Sequence, residues 1–161
     1  LKIPPGVETG SRLRVQGKGE GGARGGPAGD LYVVLHVRPH EIFQRRDEDV
    51  LCDLPVPFEI AALGGEVEVP TIQGFAKIKL PPGTQTGKVF RLRGKGVQGL
   101  HGGHSGDHHV RIVVEVPEKL GGNQKKLIEE LAALTEDGNY PERKTFYRKI
   151  AQFYERKKAM E

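Results

Sequence analysis

Alternating apolar and polar residues predict short strands through the first three quarters of the chain. Residues 12–16 read Arg-Leu-Arg-Val-Gln, residues 50–58 also alternate, and residues 66–70 and 75–80 repeat the pattern around a Gln-Gly turn. A period of two is typical of a strand with one buried face. Residues 31–37 are almost continuously apolar, which indicates a more deeply buried strand. These elements predict a mainly β protein.

After Pro117 the spacing of the apolar residues lengthens to that of a helix. Asn123 is a suitable N-cap for a helix over residues 124–134, and Pro141 suits the first turn of a second helix that runs to about Ala159. Each predicted helix carries one apolar stripe. The stripes consist of Leu127, Ile128, Leu131 and Leu134 in the first helix and of Phe146, Ile150, Phe153 and Tyr154 in the second.

One segment of the chain occurs twice. Residues 2–22 read KIPPGVETGSRLRVQGKGEGG and residues 79–99 read KLPPGTQTGKVFRLRGKGVQG, so 11 of 21 positions are identical at an offset of 77 residues. The same offset carries the Gly-Asp pair at residues 29–30 onto the one at residues 106–107, and an apolar run follows each pair. Only two copies exist and the period is long, which favours two similar small domains over a solenoid.

The repeat and the change of period divide the chain into three parts. We predict a first β domain over residues 1–54, a second over residues 55–117 and a helical tail over residues 118–161. Apolar residues make up 36% of the chain, with 23 glycines and 11 prolines. Each β domain can therefore bury only a thin core between short strands, as in a small β-sandwich.

The net charge of +4 comes from the last twenty residues. Residues 142–161 hold seven Lys or Arg and three Glu, which leaves the remainder of the chain neutral. A basic chain raises the possibility of a nucleic-acid partner. However, β domains without net charge do not offer a basic surface that could follow a phosphate backbone. A nucleic-acid-binding module is therefore kept only as an alternative.

The single cysteine, Cys52, limits the chemistry of the chain. It excludes an internal disulfide and a zinc site of several thiolates, and it favours a reducing, cytoplasmic location. Cys52 alternates with apolar neighbours and is expected to be a small buried strand residue rather than a nucleophile. No apolar run approaches ~18 residues, so no membrane partner is expected. No signal peptide is recognised at the start.

Four histidines lie close together in the second Gly-rich segment: His101, His104, His108 and His109. Such a group can bind metal. Only Asp107 stands beside them as a further ligand, and the glycines around them do not fix ligand geometry. We therefore expect a solvated loop and no metal. No nucleophile with its base and no pair of carboxylates stands out, and we expect a protein that is not an enzyme.

Taken together, three motifs resemble one family. They are IPPGVETGSRLRVQGKGEGG with the following GGPAGDLYVVLHVRPHEIFQRR, the second copy LPPGTQTGKVFRLRGKGV, and AALGGEVEVPTIQG. Their order resembles the C-terminal region of the DnaJ/Hsp40 co-chaperones, bacterial members above all, from residue 1 to about residue 134. The resemblance implies two tandem β-sandwich peptide-binding domains and a helical dimerisation tail. It also implies a function, which is to bind exposed apolar segments of unfolded polypeptides and deliver them to a DnaK-type Hsp70.

The departures from the family pattern matter equally. The chain has no His-Pro-Asp motif of a J-domain and none of the four CxxCxGxG motifs of the zinc module. The strands that open the first β domain in the family are also missing. We therefore expect a fragment with an incomplete first domain and no cofactor of its own, whereas zinc is expected in the full-length member.

The resemblance implies that Phe43 lies in an apolar pocket that receives a substrate side chain. The alternative is that Phe43 plugs the base of the sandwich. Ile42 and the residues Leu1 and Ile3, at a predicted strand end, are expected to help line this pocket. The expected binding mode is addition of an extended peptide to an exposed sheet edge.

The stripe Phe146, Ile150, Phe153 and Tyr154 favours a homodimer through the tail, although it could also fold back onto the second β domain. Symmetric dimers are the commonest oligomers. Three hypotheses follow from the sequence: a polypeptide-binding chaperone module, a nucleic-acid-binding module that uses the basic tail, and a purely structural dimerisation scaffold.

Overall fold

The computed structural model describes residues 1–100 and 102–160. Within them, eight strands and three α-helices follow one another. They are β1 (Arg12–Val15), β2 (Leu31–Val34), β3 (Gln44–Arg46), β4 (Asp49–Pro57), α1 (Phe58–Leu63), β5 (Gly65–Thr71), β6 (Gly74–Leu80), β7 (Val89–Leu92), β8 (His108–Glu115), α2 (Gly122–Leu134) and α3 (Pro141–Ala159). The prediction of a mainly β protein with a helical tail is confirmed.

The described residues form two compact units, one over Leu1–Val116 and another that begins at Pro117. The first unit contains all the strands, which form a four-stranded sheet in the order β3-β4-β8-β7 and the two-stranded sheets β1-β2 and β5-β6. The pairing of β4 with β8 is parallel, from Val50 opposite His108 to Pro57 opposite Glu115. All other strand pairs are antiparallel.

The core of the first unit lies where the β5-β6 hairpin and α1 meet the central strands of the four-stranded sheet. Every second residue of β4 and β8 faces this core, as the alternating pattern predicted. The buried cluster consists of Cys52, Val56, Ala61, Val69, Ile78, Leu80, Val110 and Ile112. Cys52 is 3% exposed, which confirms its predicted place inside the protein.

The sequence repeat is also a structural repeat. In the first copy Arg12 lies opposite Val34, and in the second copy Val89 lies opposite Arg111, so the two hairpins share one register at an offset of 77 residues. Each copy closes its Gly-rich loop with an aspartate. Asp30 accepts the N–H of Gly17 at 2.9 Å and pairs with Arg14.

The second copy repeats this closure. Asp107 accepts the N–H of Gly94 at 2.8 Å and pairs with Arg91. In each copy the aspartate carboxylate accepts the N–H of the glycine that starts the loop and pairs with an arginine of the preceding strand. The arginine, the glycine and the aspartate therefore act together to close the loop in both copies.

The copies differ in what their loops hold. In the second copy, the turn between β3 and β4 lies in a cradle of glycines, where the N–H of Val97 donates to the carbonyl oxygen of Glu48 at 2.8 Å. A Cβ added to Gly106 would lie 2.1 Å from that oxygen. At the matching position of the first copy, a Cβ on Gly29 would have no neighbour closer than the Glu20 carbonyl oxygen, at 3.8 Å.

Several local predictions are confirmed and others need correction. The β5-β6 hairpin and the start of α3 at Pro141 lie where the sequence predicted them. The N-cap of α2 is Gly121 rather than Asn123. The side chain of Gln124 accepts the N–H of Gly121 at 2.7 Å, which starts the helix earlier than predicted.

The predicted domain boundary between residues 54 and 55 falls inside β4, which is one unbroken strand. β4 has partners on both sides only at Val50 and Leu51, because β3 is short. Pro55 and Pro57 therefore occupy a stretch with a single neighbouring strand, where a residue without an N–H is tolerated. The division into two β domains stays a prediction.

The difference between the two loops generates a matched pair of variants. We expect Gly106→Ala to lower the free energy of unfolding by about 1–3 kcal/mol or more, because the new methyl group collides with the main chain of Glu48. Gly29→Ala should change it by no more than about 0.5 kcal/mol, because the same methyl group meets open space. Urea unfolding of both variants measures the difference. Equal destabilisation would contradict the cradle.

Candidate functional site

A cavity of about 490 Å³ lies in the first unit, where the first copy meets the second. Its apolar lining comes from five separate parts of the chain: the turn before β1, the segment after β2, the β3-β4 hairpin, the β5-β6 turn and the second Gly-rich loop. The apolar lining residues are Val7, Val37, Pro39, Phe43, Val50, Ile72 and Val97. The charged side chains of Glu8, Arg38, Arg45 and Asp47 complete the wall.

Arg45 fastens this junction. Its guanidinium donates to the carbonyl oxygens of Val7 at 2.7 Å and Gly6 at 2.9 Å, and it pairs with Glu8 at 3.0 Å. Its Nε donates to the carbonyl oxygen of Asp47 at 2.6 Å. One side chain from β3 thus holds the turn of the first copy against the β3-β4 turn, using the fork geometry that arginine alone provides.

Phe43 lines the cavity and is half-buried, and its role in binding a substrate side chain stays a prediction. Its ring lies between two histidines. The ring centroid is 5.0 Å from that of His40 on one side and 5.7 Å from that of His108, which meets it edge-on, on the other. Phe43 also packs against the core cluster, so it serves both as cavity wall and as the cover of the core that the alternative reading described.

The other residues predicted for this site lie elsewhere. Leu1 is 73% exposed, Ile3 54% and Ile42 51%, and none of them lines the cavity. The expected strand at the start of the chain is wrong, because residues 1–11 form turns and extended chain. A binding role for Leu1, Ile3 and Ile42 stays a prediction.

His108 is wholly buried, and its expected place in a solvated loop is wrong. It opens β8 with its side chain inward, where its Nε2 lies 3.2 Å from the sulfur of Cys52. Its Nδ1 has no hydrogen-bond partner among the described residues. Burial lowers the pKa of His108, with a smaller contribution from the neighbouring His109, and burial raises the pKa of the Cys52 thiol. The matching residue of the first copy is Leu31, which is apolar but 45% exposed, and the predicted deep burial of the strand at residues 31–37 is wrong, since β2 is largely exposed.

The other described histidines of this segment do not lie in the core with His108. His109 faces the other side of β8, where its Nε2 lies 3.0 Å from a carboxylate oxygen of Asp49. The N–H of Asp107 donates to Asp49 at 2.7 Å, and this bond, with that of His109, lowers the pKa of Asp49. His104 is exposed, and His101 lies outside the described residues.

Across residues 1–100 and 102–160, no group of three or more His, Cys, Asp and Glu could hold a metal ion. The chain has a single cysteine, Cys52, and it is buried. These residues do not fit the thiolate zinc site that the full-length family implies.

One edge of β2 is open. Leu35 donates to the carbonyl oxygen of Ser11 at 2.9 Å and accepts from Gly10 at 2.8 Å, so residues 33 and 35 face β1. Because antiparallel pairing alternates, Tyr32 and Val34 turn their main-chain groups to the opposite side. No strand of the described residues pairs with them there.

The equivalent edge in the second copy is filled. Arg111 of β8 matches Val34, and Asp53 of β4 lies opposite it. Their side chains form a two-point ion pair at 2.7 and 2.8 Å across the exposed face of the sheet. The open edge of β2 leads through residues 35–36 to Val37, which lines the cavity.

The second unit presents aromatic side chains on α3. Phe146, Phe153 and Tyr154 are each more than half exposed, and Ile150 is half-buried. The ring of Phe146 meets that of Tyr147 edge-on, as Phe153 meets Tyr154. Among the described residues, no helix combines the length and the apolar character that a membrane crossing needs.

The duplicated β hairpins, their Gly-rich loops and the helical tail define a chain of two repeated β elements with a cavity at their junction. Residues 1–117 match the family model of the DnaJ C terminal domain, and the chain belongs to that family.

The names of similar proteins support this family assignment. The chain is 47% identical over 154 residues to Chaperone protein DnaJ of Opitutus terrae, an alignment that covers 96% of this chain and 40% of the relative. It is 48% identical over 157 residues to Chaperone protein DnaJ of Acidithiobacillus ferrooxidans, covering 97% of this chain and 42% of the relative. The chain therefore spans about two fifths of the length of these relatives.

The buried His108 predicts a pH dependence of stability. The unfolded chain binds a proton at this residue near pH 6.5, whereas the folded chain resists it, so the free energy of unfolding falls as the pH drops below about 7. We expect His108→Leu, which installs the residue of the first copy, to flatten this fall between about pH 7 and 5. Urea unfolding at several pH values measures it. His104→Leu, at an exposed position, should keep the slope, and an unchanged slope in His108→Leu would contradict the assignment.

Proposed function

We propose that this chain binds exposed apolar segments of unfolded polypeptides and works as part of a co-chaperone that passes them to a DnaK-type Hsp70. The observation that carries the proposal is the apolar cavity at the junction of the two copies, with Val37 and Phe43 in its wall. An extended segment would place an apolar side chain in this cavity, and its main chain would form hydrogen bonds to groups at the rim.

The expected affinity is modest. One buried side chain of the size of Leu contributes about 1.5–3 kcal/mol, and each main-chain hydrogen bond about 0.5–1.5 kcal/mol. A few such contacts, reduced by the cost of ordering the segment, give weak and reversible binding. Weak binding suits a protein that must release its client to a partner.

The charges around the cavity support an uncharged ligand. Glu8 and Asp47 carry negative charge and Arg38 and Arg45 positive charge, so the wall has no net sign. The excess of basic residues lies in α3, in the other unit. A polyanion would therefore gain little binding energy at this cavity. We also propose that the chain acts in the cytoplasm and does not catalyse a reaction.

The Hsp70 step rests on the relatives rather than on this site. Their name, Chaperone protein DnaJ, supports a chaperone role, and the matched part of each is about two fifths of its length. We therefore assign client binding to this chain and propose delivery to Hsp70 as the activity of the whole protein.

Phe43 provides the direct test. We expect Phe43→Ala to weaken binding of a fluorescent Leu-rich peptide by about tenfold or more, because a large part of the apolar wall is removed. Phe75→Ala is the matched control, since Phe75 is 80% exposed at the β5-β6 turn and does not line the cavity. Fluorescence anisotropy measures both, and circular dichroism checks that each variant is folded.

Two outcomes would count against the proposal. Equal affinity of Phe43→Ala and the unchanged chain would remove Phe43 from the site. Binding of single-stranded DNA in place of the peptide, with an affinity that falls steeply as salt rises, would favour the nucleic-acid alternative.

We further propose that the stripe Phe146, Ile150, Phe153 and Tyr154 joins two copies of the chain. Its support is the width of exposed aromatic surface on one side of α3, which a monomer leaves in water. A dimer would place two weak client sites on one particle, and their effective concentration would raise the avidity for long unfolded chains.

A charge on this stripe should separate the copies. We expect Phe153→Glu to shift the sedimentation of the full chain from dimer to monomer, because the carboxylate would be buried without a partner. Gln152→Glu adds the same charge at an exposed position on another side of α3 and should leave the dimer intact. A dimer that persists in Phe153→Glu, or an unchanged chain that sediments as a monomer, would refute the proposal.

A further inference from the structure

We propose that His40 is a positioning residue for the cavity. Its neutral imidazole holds Phe43 in the wall, and its protonation releases that wall, so that apolar segments bind more weakly in mild acid. This inference rests on the proposed function, because it concerns affinity at the same cavity. It adds a role for a residue whose side chain touches Phe43 from the cavity side.

The first support is the pair of hydrogen bonds at one ring nitrogen. The Nδ1 atom of His40 accepts the N–H of Ile42 at 3.0 Å and the N–H of Phe43 at 3.3 Å. Only the neutral ring with its proton on Nε2 offers a lone pair at Nδ1. A protonated ring would direct an N–H at two other N–H groups, so both bonds would be lost and replaced by repulsion.

The second support is the position of this turn. Ile42 and Phe43 lie after β2 and before β3, outside any strand or helix. No main-chain oxygen of the described residues accepts either of their N–H groups. The imidazole is therefore the group that fixes the main chain at Phe43, as a short polar side chain does in an Asx-turn.

The third support is the stack of rings. His40 covers one side of Phe43, and His108 meets the other side edge-on. A shift of His40 would leave Phe43 held from the core side only. The ring of Phe43 would then be free to leave the wall of the cavity, and the apolar surface offered to a client would shrink.

The charged groups around His40 come from three parts of the first unit. They are Glu8 in the turn before β1, Arg38 and Glu41 in the same segment as His40, and Arg45 with Asp47 in the β3-β4 hairpin. Glu8 is already paired with Arg45. Burial lowers the pKa of His108, the other ring that contacts Phe43.

The test compares three forms of the full chain at about pH 7.5 and about pH 5.5, a range in which histidine side chains titrate. His40→Asn keeps an acceptor that can reach the same two N–H groups but cannot titrate. His40→Ala removes the acceptor. Loss of two hydrogen bonds should reduce the population of the ordered wall about tenfold, and the apparent affinity falls by the same factor.

We expect the unchanged chain to bind a Leu-rich peptide about tenfold more weakly at the lower pH. His40→Asn should change by less than about twofold, and His40→Ala should be weak at both pH values. His108 is present in all three forms, so it lowers the free energy of unfolding of each form equally at the lower pH. It therefore does not contribute to the differences in affinity between them. The same loss of affinity in His40→Asn as in the unchanged chain would overturn the proposal.

A second readout needs no peptide. The amide resonances of Ile42 and Phe43 should shift in step with the protonation of the His40 ring in an NMR titration, and should stay constant in His40→Asn. If no peptide binds at either pH, the proposed function fails while this titration still tests His40. Amide resonances that ignore the ring titration would overturn the positioning role even if peptides bind.

Discussion

The parallel pairing of β4 with β8 is the interaction on which the first unit depends. It brings Cys52 and Val56 of β4 beside Val110 and Ile112 of β8 and so creates the centre of the core. The turn that precedes β4 is held in the glycine cradle of the second copy at Glu48. Arg45 then ties that same turn to the first copy. The strand pairing, the glycine cradle and the bonds of Arg45 together hold the walls of the cavity in place.

The two copies therefore share geometry but have different partners. Both carry the same hairpin register and the same aspartate closure, so identical residues were retained for identical physical reasons. In the second copy the outer edge and the cradle are occupied by the chain itself. In the first copy no strand of the described residues lies at the corresponding edge.

Much of this fold could be predicted from the sequence because its strands and helices depend on local patterns of residues. Alternation located the strands, Pro141 located the start of α3, and the repeat located the two hairpins. Phe43 could be placed at the cavity only by its resemblance to a family motif. The neighbours that shape the cavity, Ile72 and Val97, come from distant parts of the chain, and no local pattern indicates such a meeting.

The histidines show the same limit. His108 was expected in water because its neighbours are glycines and polar residues, whereas strand pairing with β4 turns it into the core. Leu31, the matching residue of the first copy, is 45% exposed, so the repeat does not indicate the burial of His108. The role of His40 depends on a side chain that folds back onto its own main chain, which spacing alone cannot show. The exposed positions of Leu1 and Ile3 follow from the absence of a strand at residues 1–11.

The central claim is that an extended apolar segment binds in the cavity at Phe43. NMR of the full chain, read residue by residue with and without a Leu-rich peptide, tests it most directly. The account predicts that the peptide shifts the amide resonances of Val37, Phe43 and Val97, which line the cavity, and leaves those of the β5-β6 strands unchanged. Shifts confined to α3, or no shift around the cavity when the peptide is bound, would contradict it.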